Sequence, residues 1–161
     1  MTKEILLTRG QRAVVDDDDY EWLSQYKWHA LWCKHTESFI AVRGHRTVLM
    51  THDIMNPPDG MMVDHINHDT LDNRRFNLRV CTKTQNQFNA KLRRDSTSGY
   101  KGVGFHKVTQ KWMAYIRANN VQYHLGLFKT IREAVIARNV AAIKYHGEYA
   151  YLNPVPEEEN A

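Results

Sequence analysis

The feature that most constrains the fold is the stretch of residues 63–86, which mixes acids, histidines and amides with only short apolar anchors. Residues 63–77 carry eight such polar side chains: Asp64, His65, Asn67, His68, Asp69, Asp72, Asn73 and Asn77. Side chains of this kind are poor material for a hydrophobic core and good material for a metal site beside a phosphate. We therefore expect this stretch to form a site, with apolar structure on either side of it.

The length of 161 residues allows one ordinary domain or two small ones, and the composition is that of a soluble globular protein. The sequence has no run of about 18 apolar residues and no secretory signal at its N-terminus, so we expect no membrane segment and a cytoplasmic location. Cys33 and Cys81 are far apart in the sequence, so a four-cysteine zinc site or a disulfide framework is not expected.

The charges are distributed unevenly along the chain. Residues 1–73 hold 7 basic and 12 acidic side chains, residues 74–117 hold 11 and 1, and residues 118–161 hold 4 and 5. Aromatic and amide side chains are interleaved with the charges of the middle segment, as on surfaces that bind nucleic acids. The sequence therefore predicts a positive surface for a polyanion, although a merely solvated basic face is the alternative.

The N-terminal residues 1–46 predict a β-rich region. Residues 4–8 and 12–15 read as a hairpin that turns at Gly10, and residues 27–33 and 38–43 read as a second hairpin. The acids at 16–19 suit the first turn of a helix better than a metal cluster, because they complement the helix dipole. Residues 47–55 could form a short helix, which a turn signal at 56–60 follows.

Residues 61–92 predict a strand, a polar loop, a second strand and a helix. The strands are expected at 61–66 and 78–81, and the helix from Lys83 to about Leu92. Thr82 and Gln85 have the spacing of a capping box, and Phe88 and Leu92 lie four residues apart. Asn86 and Asn89 would share one face of this helix.

A second unit is expected at residues 99–153, after a linker at 93–98 and before a disordered tail at 154–161. Three strands are expected at 100–107, 111–118 and 122–128, followed by one long helix that ends at Gly147. Thr130 and Glu133 form a second capping-box pair. Ile136, Val140 and Ile143 make an apolar stripe along this helix.

Cleavage of a phosphodiester bond requires a water nucleophile, a base for its proton, and positive charge on the phosphate and the leaving oxygen. Asp64 and His65 are neighbours at the end of a strand and should point to opposite sides. Asp64 could then face a metal ion shared with Asn86, while His65 faces a water.

The residues of this array resemble the HNH endonucleases of phage and homing type. The residues that carry the resemblance are Asp64-His65, Asn77-Leu78-Arg79 and Thr82-Lys83-Thr84-Gln85-Asn86. The resemblance implies a ββα-metal core at about residues 47–92 within a nuclease domain at 1–92. It also implies that His65 is the general base, that Asp64 and Asn86 bind one metal ion, and that Asn77 braces the loop that aims His65. Asp64 favours Mg²⁺ or Mn²⁺ over zinc, and Asn89 remains an alternative to Asn86.

The second unit is similar to the plant ethylene-response-factor (APETALA-type) DNA-binding domain, which is also found fused to phage HNH enzymes. Residues 99–103, 111–117, 125–128, Glu133-Ala134, Ala141-Ala142 and Gly147 carry this similarity. It implies a three-stranded sheet in the major groove of double-stranded DNA, backed by the helix. Trp112 and Phe128 are expected to pack under the helix instead. With the basic run, the predicted DNA-binding residues are Arg74, Arg75, Arg79, Lys83, Arg93, Arg94, Lys101, His106, Lys111, Tyr115, Arg117 and His124.

Taken together, the sequence predicts an α+β protein that cuts DNA. The fold would be a β-rich N-terminal region, a ββα-metal module, and a small three-stranded antiparallel sheet packed on one helix. The enzyme would be phage-encoded, would act in the host cytoplasm on double-stranded DNA, and would be a monomer or a homodimer. The alternative is a non-catalytic DNA-binding regulator with a structural HNH-like segment. An RNA-binding module is less well supported, because no RNA-motif aromatic pair is present.

Overall fold

The computed structural model describes residues 1–34, 36–45, 48–92 and 96–157. The chain divides into two compact units, Met1–Asn86 and Gln87–Ala161. Both units mix helices with small antiparallel sheets, so the predicted mixed α and β character is confirmed. No helix in the described part of the chain is long and apolar enough to span a membrane.

The first unit begins with an antiparallel hairpin of β1 (Thr2–Leu6) and β2 (Arg12–Asp16). The turn between them is a short 3₁₀ helix, in which Arg9 has a φ of 61°. Helix α1 (Asp17–Leu23) starts directly after β2, with three aspartates in its first turn. The predicted hairpin and helix start are therefore both present.

A three-stranded sheet follows, in the order β3 (His29–Cys33), β4 (Ser38–Arg43) and β5 (Val48–Leu49). Helix α2 (Met50–Met55) begins later than the predicted residue 47, because Val48 and Leu49 pair with the end of β4. Apolar side chains from these elements form one core. Its buried members are Ile5, Leu7, Ala13, Val15, Leu23, Trp28, Ala30, Ala41, Met50, Ile54 and Leu78.

The polar stretch lies on a hairpin of β6 (Met62–His65) and β7 (Leu78–Cys81). Helix α3 (Lys83–Asn89) comes next and ends three residues before the predicted Leu92. The capping box is present: the Thr82 hydroxyl oxygen accepts from the Gln85 N–H at 3.2 Å, and the Gln85 side chain accepts from the Thr82 N–H at 2.8 Å.

The second unit holds a three-stranded antiparallel sheet that packs against α4 (Ile131–His146). The strands are β8 (Val103–His106), β9 (Lys111–Ala118) and β10 (Val121–Phe128), with β9 in the centre. The capping box of Thr130 and Glu133 is complete. The Cβ of any larger residue at Gly102 would lie 2.5 Å from the Tyr115 carbonyl oxygen, so glycine allows this close approach.

The apolar stripe predicted on α4 is not its buried face. Ile136, Val140 and Ile143 are 42%, 62% and 58% exposed, whereas Ala134, Val135, Ala141 and Ala142 are buried. Small side chains on the helix leave room for the large side chains beneath the sheet, which include Trp112, Leu125 and Phe128. The face of α4 with the smaller side chains therefore packs against the sheet, and the face with the larger ones is exposed.

Of the predicted tail at 154–161, the structure describes residues 154–157. The Arg132 guanidinium donates to the Pro156 carbonyl there. Residues 158–161 lie outside the described residues, as do residues 93–95 of the predicted linker.

Candidate active site and nucleic-acid interface

The β6–β7 hairpin places Asp64 opposite Arg79 and His65 opposite Leu78. Both Arg79 Nε and Arg79 Nη2 donate to Asp64 Oδ2, at 3.0 and 2.7 Å. The two side chains are only 9% and 12% exposed. The predicted metal ligand and one of the predicted DNA-binding arginines thus form a nearly buried ion pair.

His65 is held by Asn73, a buried residue that the sequence analysis did not single out. His65 Nε2 lies 3.0 Å from Asn73 Oδ1, while Asn73 Nδ2 lies 3.5 Å from both Met50 Sδ and the Leu71 carbonyl oxygen. These partners of Nδ2 orient the amide so that its oxygen faces the imidazole. His65 Nε2 is then the protonated nitrogen, and Nδ1 carries the lone pair.

Burial keeps His65 neutral near pH 7. Burial lowers the pKa of His65 from its ordinary value of 6.5, and the hydrogen bond to Asn73 and the charge of Asp64 oppose this only in part. A neutral imidazole can accept a proton, which is what a general base requires.

Asn77 joins the two ends of the polar loop that follows His65. Its Oδ1 accepts from the Asn67 N–H at 3.0 Å, and its Nδ2 donates to the Asp72 carbonyl oxygen at 2.8 Å. The Asn77 carbonyl also accepts from the Ile66 N–H at 2.9 Å. Asn77 is 2% exposed, so these bonds are shielded from water.

The same loop is bound to the N-terminal hairpin and α1. Val14 N–H donates to the Leu71 carbonyl at 2.8 Å, and Asn73 N–H donates to the Val14 carbonyl at 2.7 Å. The Arg75 guanidinium binds both oxygens of the buried Asp19, at 2.8 and 2.7 Å. The loop is therefore fixed by residues about 60 positions earlier in the chain.

The basic run is partly neutralised by acids of the first unit. Arg74 binds both oxygens of Asp72 at 2.6 Å, and its guanidinium lowers the pKa of that carboxyl group. Arg75 and Arg79 are paired with Asp19 and Asp64. Three of the predicted DNA-binding arginines thus also hold the site together, while Lys83 is exposed at the start of α3.

Asn86 and Asn89 both lie on α3, as predicted. Asn86 is half-buried in the helix and Asn89 is 5% exposed at its end. Asp64 and Asn86 offer carboxylate and amide oxygens, the ligands that Mg²⁺ and Mn²⁺ prefer, so the donor chemistry fits such an ion. Among the described residues there is no group of three or more His, Cys, Asp or Glu side chains that could hold a metal. A site with one carboxylate and one amide does not depend on such a group.

In the second unit, five of the predicted DNA-binding residues lie on the open face of the sheet. The register pairs His106 with Lys111, Tyr115 with His124 and Arg117 with Gln122. Successive side chains along a strand point to opposite faces, and the alternate positions Ala114, Ile116 and Ala118 are buried toward α4. Trp112 shares that inner side and packs with the core, as expected.

Lys101, another predicted DNA-binding residue, binds backbone carbonyl groups of the protein. Its ammonium donates to the carbonyl oxygens of Gln87, Phe88 and Ala90, at 3.4, 3.0 and 2.7 Å. Burial, together with the charge of Arg138, lowers the pKa of Lys101 to about 8. The other predicted contacts of this region, Arg93 and Arg94, lie outside the described residues.

Comparisons with known proteins bear on the hairpin, the loop and α3. Residues 45–88 match a family model described as HNH endonuclease. The chain carries an HNH endonuclease domain. This HNH domain contains Asp64, His65, Asn77 and Asn86 within its matched residues, and the match supports a nuclease.

Relatives of viral origin align with the HNH domain and beyond it. A protein described as an uncharacterized HNH endonuclease of Acanthamoeba polyphaga mimivirus is 28% identical over 150 residues, which cover 91% of this chain and 77% of that protein. Protein 3.8 of Escherichia phage T7 is 28% identical over 93 residues, covering 58% of this chain and 76% of that protein. No solved structure matches the chain.

A second likeness is to plant transcription factors. The AP2-like ethylene-responsive transcription factor AIL5 of Arabidopsis thaliana is 40% identical over 78 residues, which cover 44% of this chain. The aligned part is only 14% of that factor. The likeness gives some support to an AP2-type domain in this chain.

No hydrogen-bond partner is predicted from the sequence for Asn73, Asp72 or Asp19. No spacing marks Asn73 as the partner of His65, and Asp19 is 56 residues from the arginine that it binds. The one local signal is the run Asp72-Asn73-Arg74-Arg75, which lies in the predicted polar loop between the two strands.

Proposed function

We propose that this chain is a metal-dependent DNA endonuclease in which the HNH domain hydrolyses a phosphodiester bond and the C-terminal unit binds the DNA. The observation that carries the proposal is the bond from His65 Nε2 to the buried Asn73, within the segment that matches the HNH family. A histidine held in this way has a defined tautomer and orientation, as a positioned base requires.

In the proposed reaction, His65 accepts a proton from a water molecule at Nδ1. The water oxygen attacks the phosphorus, and the bond from phosphorus to the leaving oxygen breaks. Asn73 transfers no proton in this step but accepts the hydrogen bond from His65 Nε2–H. Asn77 stabilises the loop that follows His65 by donating to the Asp72 carbonyl oxygen. The lowered pKa of His65 ensures that the base is unprotonated near pH 7.

Asp64 and Asn86 would hold one Mg²⁺ or Mn²⁺ ion, with Asn89 as the alternative to Asn86. When bound, such an ion supplies positive charge to the phosphate and the leaving oxygen. Without the ion, Arg79 neutralises the negative charge of the Asp64 carboxylate. This pairing stabilises the fold, because a nearly buried charge without a partner is destabilising.

For the C-terminal unit, we propose that the open face of the sheet contacts double-stranded DNA. His106, Lys111, Tyr115, Arg117 and His124 lie on that face, and no acidic residue occurs in β8, β9 or β10. Phosphate contacts by Lys111 and Arg117 would position the DNA. One HNH site cuts one strand, so a monomer nicks, and a double-strand break requires a homodimer or two events.

The direct test is the conversion of supercoiled plasmid to open circles with Mg²⁺ or Mn²⁺. We expect the wild-type protein to nick and His65→Ala to lose roughly 10²- to 10⁴-fold in rate, the usual contribution of a general base. His52→Ala is the matched control, because His52 is an exposed histidine on α2 and should nick like wild type. A wild-type protein that does not nick, or equal rates for wild type and His65→Ala, would refute the proposal.

The second candidate function is a non-catalytic DNA-binding regulator. The ion pair of Asp64 with Arg79 favours it, because Arg79 already neutralises the carboxylate that a metal would use. Binding of DNA by the wild-type protein without any nicking, with either metal, would favour this second function.

A further inference from the structure

A cleft of about 340 Å³ in the first unit lies outside the HNH motif. It is lined by Thr8, Arg9, His29, Ala30, Gly44 and His45. These residues come from the β1–β2 turn, the start of β3 and the turn after β4. Two turns and the start of one strand therefore meet at one concave surface.

The lining of this cleft is cationic. Among the described residues it contains one guanidinium and two imidazoles and no acidic side chain, although residues 1–73 are rich in acids. Several of those acids are paired elsewhere: Asp17 with Lys3, Asp53 with Arg43, and Asp19 with Arg75. Within the described part of the chain Arg9 forms no ion pair, so its charge is available to a ligand.

The backbone at Arg9 is held in an uncommon conformation. Its φ of 61° and ψ of 26° lie in the left-handed region, which disfavours side chains with a Cβ. Thr8 Oγ1 accepts from the Ala30 N–H at 3.0 Å and fastens this turn to β3. The Arg9 guanidinium lies 5.9 Å from the centre of the Phe39 ring. A long cation is thus held at a position that glycine would occupy with less strain.

An exposed aromatic side chain packs against the Phe39 ring that Arg9 also approaches. Trp32 is 44% exposed and meets Phe39 edge to face, with ring centres 5.0 Å apart. Phe39 is the same ring that Arg9 covers. Cations interleaved with aromatic rings on an open surface are typical of a surface that binds the nucleic-acid backbone.

We propose that this cleft binds a phosphate of the DNA backbone, as a contact separate from the HNH motif and the C-terminal sheet. The proposal rests on the proposed function only in taking DNA as the ligand. Arg9 provides the charge, and His29 and His45 provide imidazole hydrogen-bonding groups beside it. The contact recognises phosphate and carries no base specificity.

The test measures DNA binding in the full-length chain that carries His65→Ala, so that cutting does not interfere. Arg9→Gly removes the charge and suits the left-handed backbone, so it should fold at least as stably as its parent. Arg12→Ala is the matched control, because Arg12 lies on the same hairpin and is paired with Glu4. Binding of a short DNA duplex is followed by fluorescence anisotropy over a range of salt concentrations.

We expect Arg9→Gly to weaken binding several-fold and to reduce the slope of log K against log salt by about 1. Arg9→Lys should restore most of the slope, and Arg12→Ala should leave it unchanged. Equal slopes for Arg9→Gly and its parent would overturn the proposal. If wild type fails to nick plasmid but Arg9→Gly still shows the reduced slope, the nuclease proposal fails and the phosphate site stands.

Discussion

At the scale of single residues, one hydrogen bond determines which nitrogen of His65 can act as a base. Asn73 Nδ2 lies 3.5 Å from Met50 Sδ and from the Leu71 carbonyl oxygen, an orientation in which Asn73 Oδ1 accepts from Nε2–H. Sequence reasoning found His65 but not Asn73, because a buried amide eight positions away leaves no periodic or motif signal. If His65 is the base, Asn73 is a positioning residue, since its contact is with the imidazole.

We predict that Asn73→Asp moves the acid limb of the pH–rate profile to higher pH. In the wild-type protein burial lowers the pKa of His65, so cleavage should fall only below pH 6.5. A carboxylate about 3 Å from Nε2 favours the imidazolium and raises that pKa. Nicking rates across pH measure the shift, with Asn119→Asp in the exposed β9–β10 turn as the control. An unchanged acid limb in a folded Asn73→Asp protein would contradict this role.

At the scale of elements, the ends of the helices depend on both near and distant residues. The capping boxes at Thr82 and Thr130 are local, and sequence spacing predicted both. The last turn of α3 is held instead by Lys101, which follows 11 to 14 residues later. The sequence pattern predicted DNA contact for Lys101. A lysine that binds backbone carbonyl groups cannot be distinguished in the sequence from one that binds DNA.

We predict that Lys101→Met destabilises the second unit by about 1–3 kcal/mol, the usual effect of losing charged hydrogen bonds at a partly buried site. Methionine keeps much of the apolar stem but donates no hydrogen bond. Urea unfolding gives the free energy of unfolding, and amide hydrogen exchange at residues 87–92 reports the fraying of α3. Lys111→Met, on the open face of the sheet, should cost far less. Comparable losses for the two variants would argue against a capping role for Lys101.

At the scale of the whole molecule, formal charge overstates the positive surface. Residues 74–117 carry 11 basic side chains, but Arg74, Arg75 and Arg79 are bound to acids of the first unit and Lys101 is bound to carbonyl groups. The open face of the C-terminal sheet retains Lys111 and Arg117. Fewer charges than the sequence suggests are therefore free to meet DNA.

We predict that Arg117→Ala weakens DNA affinity and reduces the salt slope of binding by about 1, while nicking at saturating DNA is retained. Lys144→Ala removes the same charge from the exposed side of α4 and serves as the control. Titrations of a DNA duplex at several salt concentrations give both slopes. If the two variants behave alike, Arg117 is not a DNA contact.

The sequence predicted the elements better than the contacts between them. The strands at 78–81 and 111–118 and the start of α1 follow from alternation, turn residues and acids in the first turn of a helix, which are local properties. The buried face of α4 and the pair of Arg75 with Asp19 depend on side chains far away in the sequence. In the candidate site, the motif predicted Asp64, His65, Asn77 and Asn86, but the pairing of Asp64 with Arg79 and of His65 with Asn73 is visible only in three dimensions.

The attachment of the polar loop to β2 and α1 limits how the motif can be transplanted. Residues 45–88 contain every residue of the HNH motif, yet Val14, Asp16 and Asp19 supply two backbone hydrogen bonds and two side-chain anchors from outside that segment. A fragment cut at the motif boundary would lose these anchors and leave Arg75 without its partner. For protein engineering, a fragment that keeps these anchors must include the N-terminal hairpin and α1 as well as the motif.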